Sequence, residues 1–148
     1  MAITYRSTFA AILLLAMASA AVGEDDPIKA RQAVMKATGA AVGTLVKMTK
    51  GETPFDAAAA KDALETIATK PKGFDALFPA GSDKGDTAAK PAIWTDNAGF
   101  KAALEKLLAT AGAEAAKPPA DLNGVKAAIK AIGEACGNCH ETYRVKKS

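Results

Sequence analysis

The residues able to do chemistry lie together near the end of the chain, in Cys136-Gly137-Asn138-Cys139-His140. The sequence holds two cysteines and one histidine, so both thiols and the imidazole fall within this single run. Two thiols three positions apart on a helix face the same way. Each can form a thioether to a vinyl group of a haem. A histidine immediately after them brings an imidazole to the iron of the haem so attached. C-x-x-C-H is the attachment spacing of haem c. Cys136 and Cys139 are therefore the expected covalent anchors, and His140 the expected axial ligand.

Other chemistries fit the run less well. A thioredoxin-like pair needs its cysteines where a helix begins, because the positive helix end lowers a thiol pKa. Here the pair falls near the end of a long helical pattern. A structural zinc site takes four ligands, and the chain offers three. A disulfide across two intervening helical residues has poor geometry.

The elements that must position these residues follow in chain order. Residues 1–20 carry Arg6, an apolar run from Phe9 to Ala18 and the small-residue site Ala18-Ser19-Ala20, with no acid. This is a secretory signal peptide, too short in its apolar part to span a membrane. Cleavage is expected after Ala20, with Ala21 or Gly23 as alternatives. Export places the remaining domain, residues 21–148, in the periplasm, with no stable membrane insertion once the leader is removed. That domain has about 125 residues, the size of one compact unit.

Lys and Arg number 19 against 16 Asp and Glu. With Arg6 set aside the excess is about two charges, too small to suggest nucleic acid, and no basic stripe with interleaved aromatics appears. Alanine is abundant and aromatics few, which favours helices and fills a core thinly. A large flat prosthetic group would supply the missing volume, and an apo form is expected to be loosely packed.

Four helices can be read from the pattern. The first begins at Asp26-Pro27 and ends near Lys50-Gly51, with a seam of Ile28, Met35, Val42 and Thr49 and companions Arg31, Thr38 and Leu45. Arg31 is the misfit on that seam. Either it has a partner, or its stem lies on the core with the guanidinium in water. The second helix is predicted from Thr53-Pro54 to Lys70, burying Ala57, Ala60, Leu64 and Ile67. Residues 71–94 form one long connection, anchored by Phe74, Leu77, Phe78 and Trp94, read mainly as packing residues, with contact of some of them to the haem edge as the alternative. The third helix opens at Thr95 or Asp96 and buries Phe100, Leu104, Leu107 and Ala111. The fourth runs from about Ala120 to Lys146 on a seam of Leu122, Val125, Ile129, Ile132, Cys136, Cys139 and Tyr143. Arg144, Lys146 and Lys147 suit its negative end. The expected fold is all-α: an antiparallel up-down four-helix bundle holding haem at one end.

With one histidine, the chain cannot supply a second imidazole to the iron. After the leader its methionines are Met35 and Met48. The first and last helices run antiparallel, so the start of the first lies beside His140. Met48 is 13 residues beyond Met35, roughly 20 Å further along the helix. Met35 is therefore the candidate distal ligand, with core packing over the haem as the alternative. Arg31, one turn earlier on the same face, suits a haem propionate.

The sequence resembles the class II c-type cytochromes, the cytochrome c′ family. The resemblance rests on Arg31-Gln32-Ala33-Val34-Met35-Lys36, on Ile93-Trp94 with Phe100, and on Cys136 through Arg144, and it covers essentially the whole exported chain. It implies a four-helix bundle with covalent haem c, His140 as axial ligand, and Cys136 and Cys139 as thioether anchors. It also implies Arg31 and Gln32 near the haem, Arg144 one turn after the ligand, and often a homodimer through the first two helices. High-spin members of the family bind nitric oxide or carbon monoxide at an open distal face. Low-spin members use the methionine as sixth ligand and carry electrons; the Met-Lys pair and the tail of this sequence resemble those more. The expected function is periplasmic one-electron transfer with small redox partner proteins, without an enzymatic reaction. Gas binding is the alternative, and Met35 is the residue that separates them.

Overall fold

The computed structural model describes residues 26–146. The expected signal peptide, its cleavage site and Lys147 lie outside them. Helix α1 spans Pro27–Thr49 and starts where Asp26-Pro27 predicts: the Asp26 carboxylate accepts the amides of Ile28 and Lys29 at 2.9 and 3.4 Å. It stops at Gly51, whose φ of 74° is the left-handed conformation that ends helices and that only glycine adopts without strain. Helix α2 spans Ala57–Thr69, a 3₁₀ turn covers Phe74–Leu77, and the single-turn α3 covers Ala92–Thr95. Helices α4, Asn97–Ala116, and α5, Leu122–Tyr143, complete the order.

The four long helices close a ring in which α1 packs on α2 and α5, and α4 packs on α2 and α5. This is the antiparallel four-helix bundle. No strand occurs among the described residues, and none of their helices is long and apolar enough to cross a membrane.

The interior divides in two. One part is aliphatic and alanine-rich: Leu45, Met48, Leu64, Ile67, Leu107, Val125 and Ile132 pack around fully buried Ala60, Ala111 and Ala128. Small side chains let the helices approach, and each large aliphatic residue removed from water contributes about 1.5–3 kcal/mol. The other part is aromatic. Phe74, Phe100 and Tyr143 pack with Phe78, Trp94 and Met35 at the haem-motif end. Phe100 stands at the centre, 4.9 Å from Phe78 and 5.3 Å from Tyr143 in edge-on geometry.

Five expectations need correction. Helix α2 begins three residues after the Pro54 start expected from Thr53-Pro54, because Asp56 is extended and its carboxylate takes the amides of Ala58 and Ala59. Ala57 consequently lies exposed on the first turn. On α1 the buried positions drift from the seven-residue seam to Ala41 and Met48, as 3.6 residues per turn requires. Helix α5 starts at Leu122, which is exposed, and stops at Tyr143 instead of reaching Lys146. Arg144 is extended there and pairs with Ala89 across the long connection. Neither the local α2 cap nor that tertiary pairing follows from apolar periodicity.

Candidate functional site

Between α1, α4, α5 and the long connection lies a cavity of about 750 Å³. Arg31, Gln32, Met35, Cys136, Cys139, His140 and Arg144 all line it. The fold thus brings every site residue expected from the sequence to one place. Met48 belongs instead to the aliphatic core, 3 % exposed.

Helix α5 carries the motif. Its Asp121 carboxylate caps the first turn through the amide of Gly124 at 2.8 Å. Val125, Ala128, Ile132 and Ala135 bury one face, and the continuation of that face carries Cys136 and Cys139, both half-buried free thiols. Cys136 packs against the aliphatic core and Cys139 against the aromatic one. Burial pushes both thiols up from their ordinary pKa, and for Cys139 the neighbouring Cys136 adds to the rise. They therefore stay protonated near neutrality, opposite to the activated thiolate that dithiol exchange needs.

His140 sits at the rim, exposed on one side and lining the cavity on the other. Partial burial, and after it the Arg144 charge, lower its pKa. The neutral imidazole is thereby favoured, the form that donates a lone pair to a metal. His140 and Arg144 also border a shallower depression of about 470 Å³ on the outer side of α5.

Helix α1 supplies the opposite wall. Met35 is half-buried against the aromatic cluster. Arg31 does not snorkel: it is 5 % exposed. Its guanidinium lies 4.5 Å from the centre of the Phe78 ring and 5.9 Å from that of Trp94. Nη2 donates to the Ser82 carbonyl at 2.7 Å and Nη1 to the Ser82 hydroxyl at 3.4 Å. Burial lowers its pKa, and Asp26 partly offsets this. Nε is buried without a partner among the described residues. Gln32 is exposed and donates to the Asp86 carbonyl at 2.9 Å.

Sequence reading missed the contribution of the connection. Thr87, Ala88 and Ala89 wall the cavity, and Ser82 holds Arg31. These residues are small and lack periodicity, so nothing local marks them. The aromatic anchors pack as expected, and Phe74 and Phe78 also face the cavity.

The arrangement fits a haem. The volume lies within the range of pockets that bury cofactor-sized ligands, about 300–1,000 Å³. Its walls are largely apolar, two thiols and a neutral-leaning imidazole line it, and a buried cation with an unpartnered N–H stands nearby.

Comparison with known proteins agrees with this geometry. Residues 26–144 match the family model for cytochrome c′. The chain is 43 % identical over 147 residues to a cytochrome c-556 of Agrobacterium fabrum, covering 99 % of this chain and 100 % of that one. It is 42 % identical to a cytochrome c′ of Rhodopseudomonas palustris, covering 86 % and 88 %. A solved cytochrome c′ structure from Rhodopseudomonas palustris superposes with a TM-score of 0.78 at 41 % identity, over 83 % of this chain and 98 % of that one. The motif, the bundle and these matches coincide along one stretch of sequence, and the chain belongs to the cytochrome c′ family, mono-haem proteins whose cofactor is one covalently bound haem c.

Proposed function

We propose that this cytochrome is a periplasmic electron carrier in which Met35 and His140 serve the two sides of the haem. The observation that carries the reading is the placement of Met35 on the same cavity as Cys136, Cys139 and His140, with Met48 remote from it. Bound haem supplies one-electron cycling between Fe(III) and Fe(II). The protein does the rest. Cys136 and Cys139 anchor the group, His140 offers a neutral imidazole, and Met35 offers a thioether from the facing helix. The aromatic cluster keeps water from one wall, and Arg31 places a buried cation where a propionate would pair with it.

Periplasmic location rests on the leader read in residues 1–20 and on the export that C-x-x-C-H proteins require for haem attachment. The partners are small periplasmic redox proteins, and a homodimer would form through α1 and α2. The proposed role includes no enzymatic reaction.

The test is an optical spectrum of the holoprotein, oxidised and reduced, with and without carbon monoxide. A low-spin spectrum with a sulfur-to-iron charge-transfer band and no ready carbon monoxide shift supports electron transfer with Met35 bound. A high-spin spectrum that shifts at once with carbon monoxide overturns it in favour of gas binding at an open distal face.

A further inference from the structure

An α-helix ends with four carbonyls that have no partner within it. In α5 the ending falls on the turn that carries His140. The His140 carbonyl accepts the Arg144 amide at 3.1 Å. Two more of the last carbonyls are taken by one residue from outside the helix. The Lys90 ammonium donates to the Glu141 carbonyl at 2.7 Å, and the Lys90 amide donates to the Tyr143 carbonyl at 2.9 Å. Next to them the Val145 amide donates to the Ala88 carbonyl at 2.8 Å, and Ala89 bridges to Arg144. The segment 88–90 is therefore laid antiparallel against 143–145.

That segment is also a wall of the haem cavity, through Ala88 and Ala89. The bond to the Glu141 carbonyl sets the Lys90 ammonium at the negative end of α5. The chain spends its one long connection on this contact: 51 residues separate Lys90 from Glu141.

We propose that Lys90 is a positioning residue for the axial-ligand turn, a cap supplied by a distant segment of the same chain that fixes the backbone around His140 and places a positive charge at the end of α5, behind the cavity wall, that favours the reduced state. The proposal rests on the reading of His140 as the iron ligand. A cation near a one-electron centre stabilises the form with one positive charge fewer. A cap bonded through both main chain and side chain fixes the turn as well.

The experiment compares Lys90→Met, Lys90→Arg and a control, Lys126→Met, at an exposed position on the first half of α5. Two readouts are taken on holoprotein: amide hydrogen exchange, and the reduced-to-oxidised ratio at a fixed applied potential. In Lys90→Met the amides of Arg144 and Val145 exchange about tenfold faster while that of Ile132 is unchanged. The reduced-to-oxidised ratio falls about threefold. Lys90→Arg restores both, and Lys126→Met changes neither. Wild-type behaviour of Lys90→Met in either readout overturns the proposal, as does an equal ratio shift in Lys126→Met. Failure of the His140 reading is distinguishable, because it shows in the wild-type spectrum before any Lys90 variant is made.

Discussion

The Tyr143 hydroxyl donates to Asp96 Oδ2 at 2.7 Å, tying the last turn of α5 to the residue that caps α4. The same carboxylate accepts the Gly99 amide at 3.1 Å through its other oxygen. A β-carbon at position 99 would stand 2.5 Å from the Tyr143 hydroxyl and would also meet the Asp96 carboxylate. Gly99 is thus the room in which this bond is made.

Gly99→Ala should displace the Asp96 carboxylate and lose both the cap and the tyrosine bond. Overpacking of this kind costs about 1–3 kcal/mol. Tyr143→Phe removes the bond and keeps the ring against Phe100. The two variants act through one carboxylate, so urea melts of the double variant should show a smaller loss than the sum of the singles. Strict additivity would refute the shared mechanism.

Alkali should act on the same bond. The hydrogen bond to Asp96, followed by burial and by the Asp96 charge, raises the Tyr143 pKa from 10.0 to about 12. The folded state favours the neutral phenol. Its contribution is complete below the unfolded pKa and is lost as pH rises from about 10 to about 12. Melting temperature should therefore fall more steeply over that window in the wild type than in Tyr143→Phe. The sequence has two tyrosines, and the other, Tyr5, precedes the expected cleavage site. In a chain cut at that expected site, phenolate absorbance follows Tyr143 alone.

Met35→Ala should convert a low-spin holoprotein to high spin and speed carbon monoxide binding by at least tenfold, if the thioether is the sixth ligand. Stopped-flow mixing of the reduced protein with carbon monoxide measures it. An unchanged spectrum and rate would reduce Met35 to a packing residue.

Changing Cys136 and Cys139 to serine together should abolish covalent haem, leaving the group extractable with acidified acetone. The bundle then loses the group proposed to fill the cavity of about 750 Å³. Such a protein should keep its far-ultraviolet helix signal, lose near-ultraviolet dichroism and bind hydrophobic dyes. A sharp native-like melt would count against the expected loose apo state.

Arg31→Met should preserve most of the stem packing but lose both bonds to Ser82 and the contacts over Phe78 and Trp94. Bonds to a charged donor are worth about 1.5–3 kcal/mol each, offset here by relief of the buried charge, so a net loss of about 1–3 kcal/mol is expected. Denaturant unfolding measures it. A neutral result would mean that the desolvation cost of the guanidinium cancels its contacts.

Much of this protein was legible in its sequence for a physical reason. Haem attachment needs two thiols and an imidazole at one fixed local spacing, so Cys136, Cys139 and His140 declare themselves within five residues. Helical periodicity then placed Leu64, Ile67, Phe100, Leu107, Val125 and Ile132 in the interior, where the structure has them. The choice of Met35 over Met48 followed from helix rise together with the antiparallel order expected of the first and last helices. What needed the tertiary structure were the contacts between residues distant in the chain and unmarked by period. The sequence left two environments open for Arg31, and packing chose burial beneath Phe78 and Trp94, with Ser82 as partner. Tyr143 reads as one more seam residue until Asp96 is brought to its hydroxyl. The end of α5 reads as helix to Lys146, because nothing local announces that residues 88–90 will claim its last carbonyls. Local spacing fixes which groups can react. Only the closed bundle decides which backbone and side-chain donors remain to hold them.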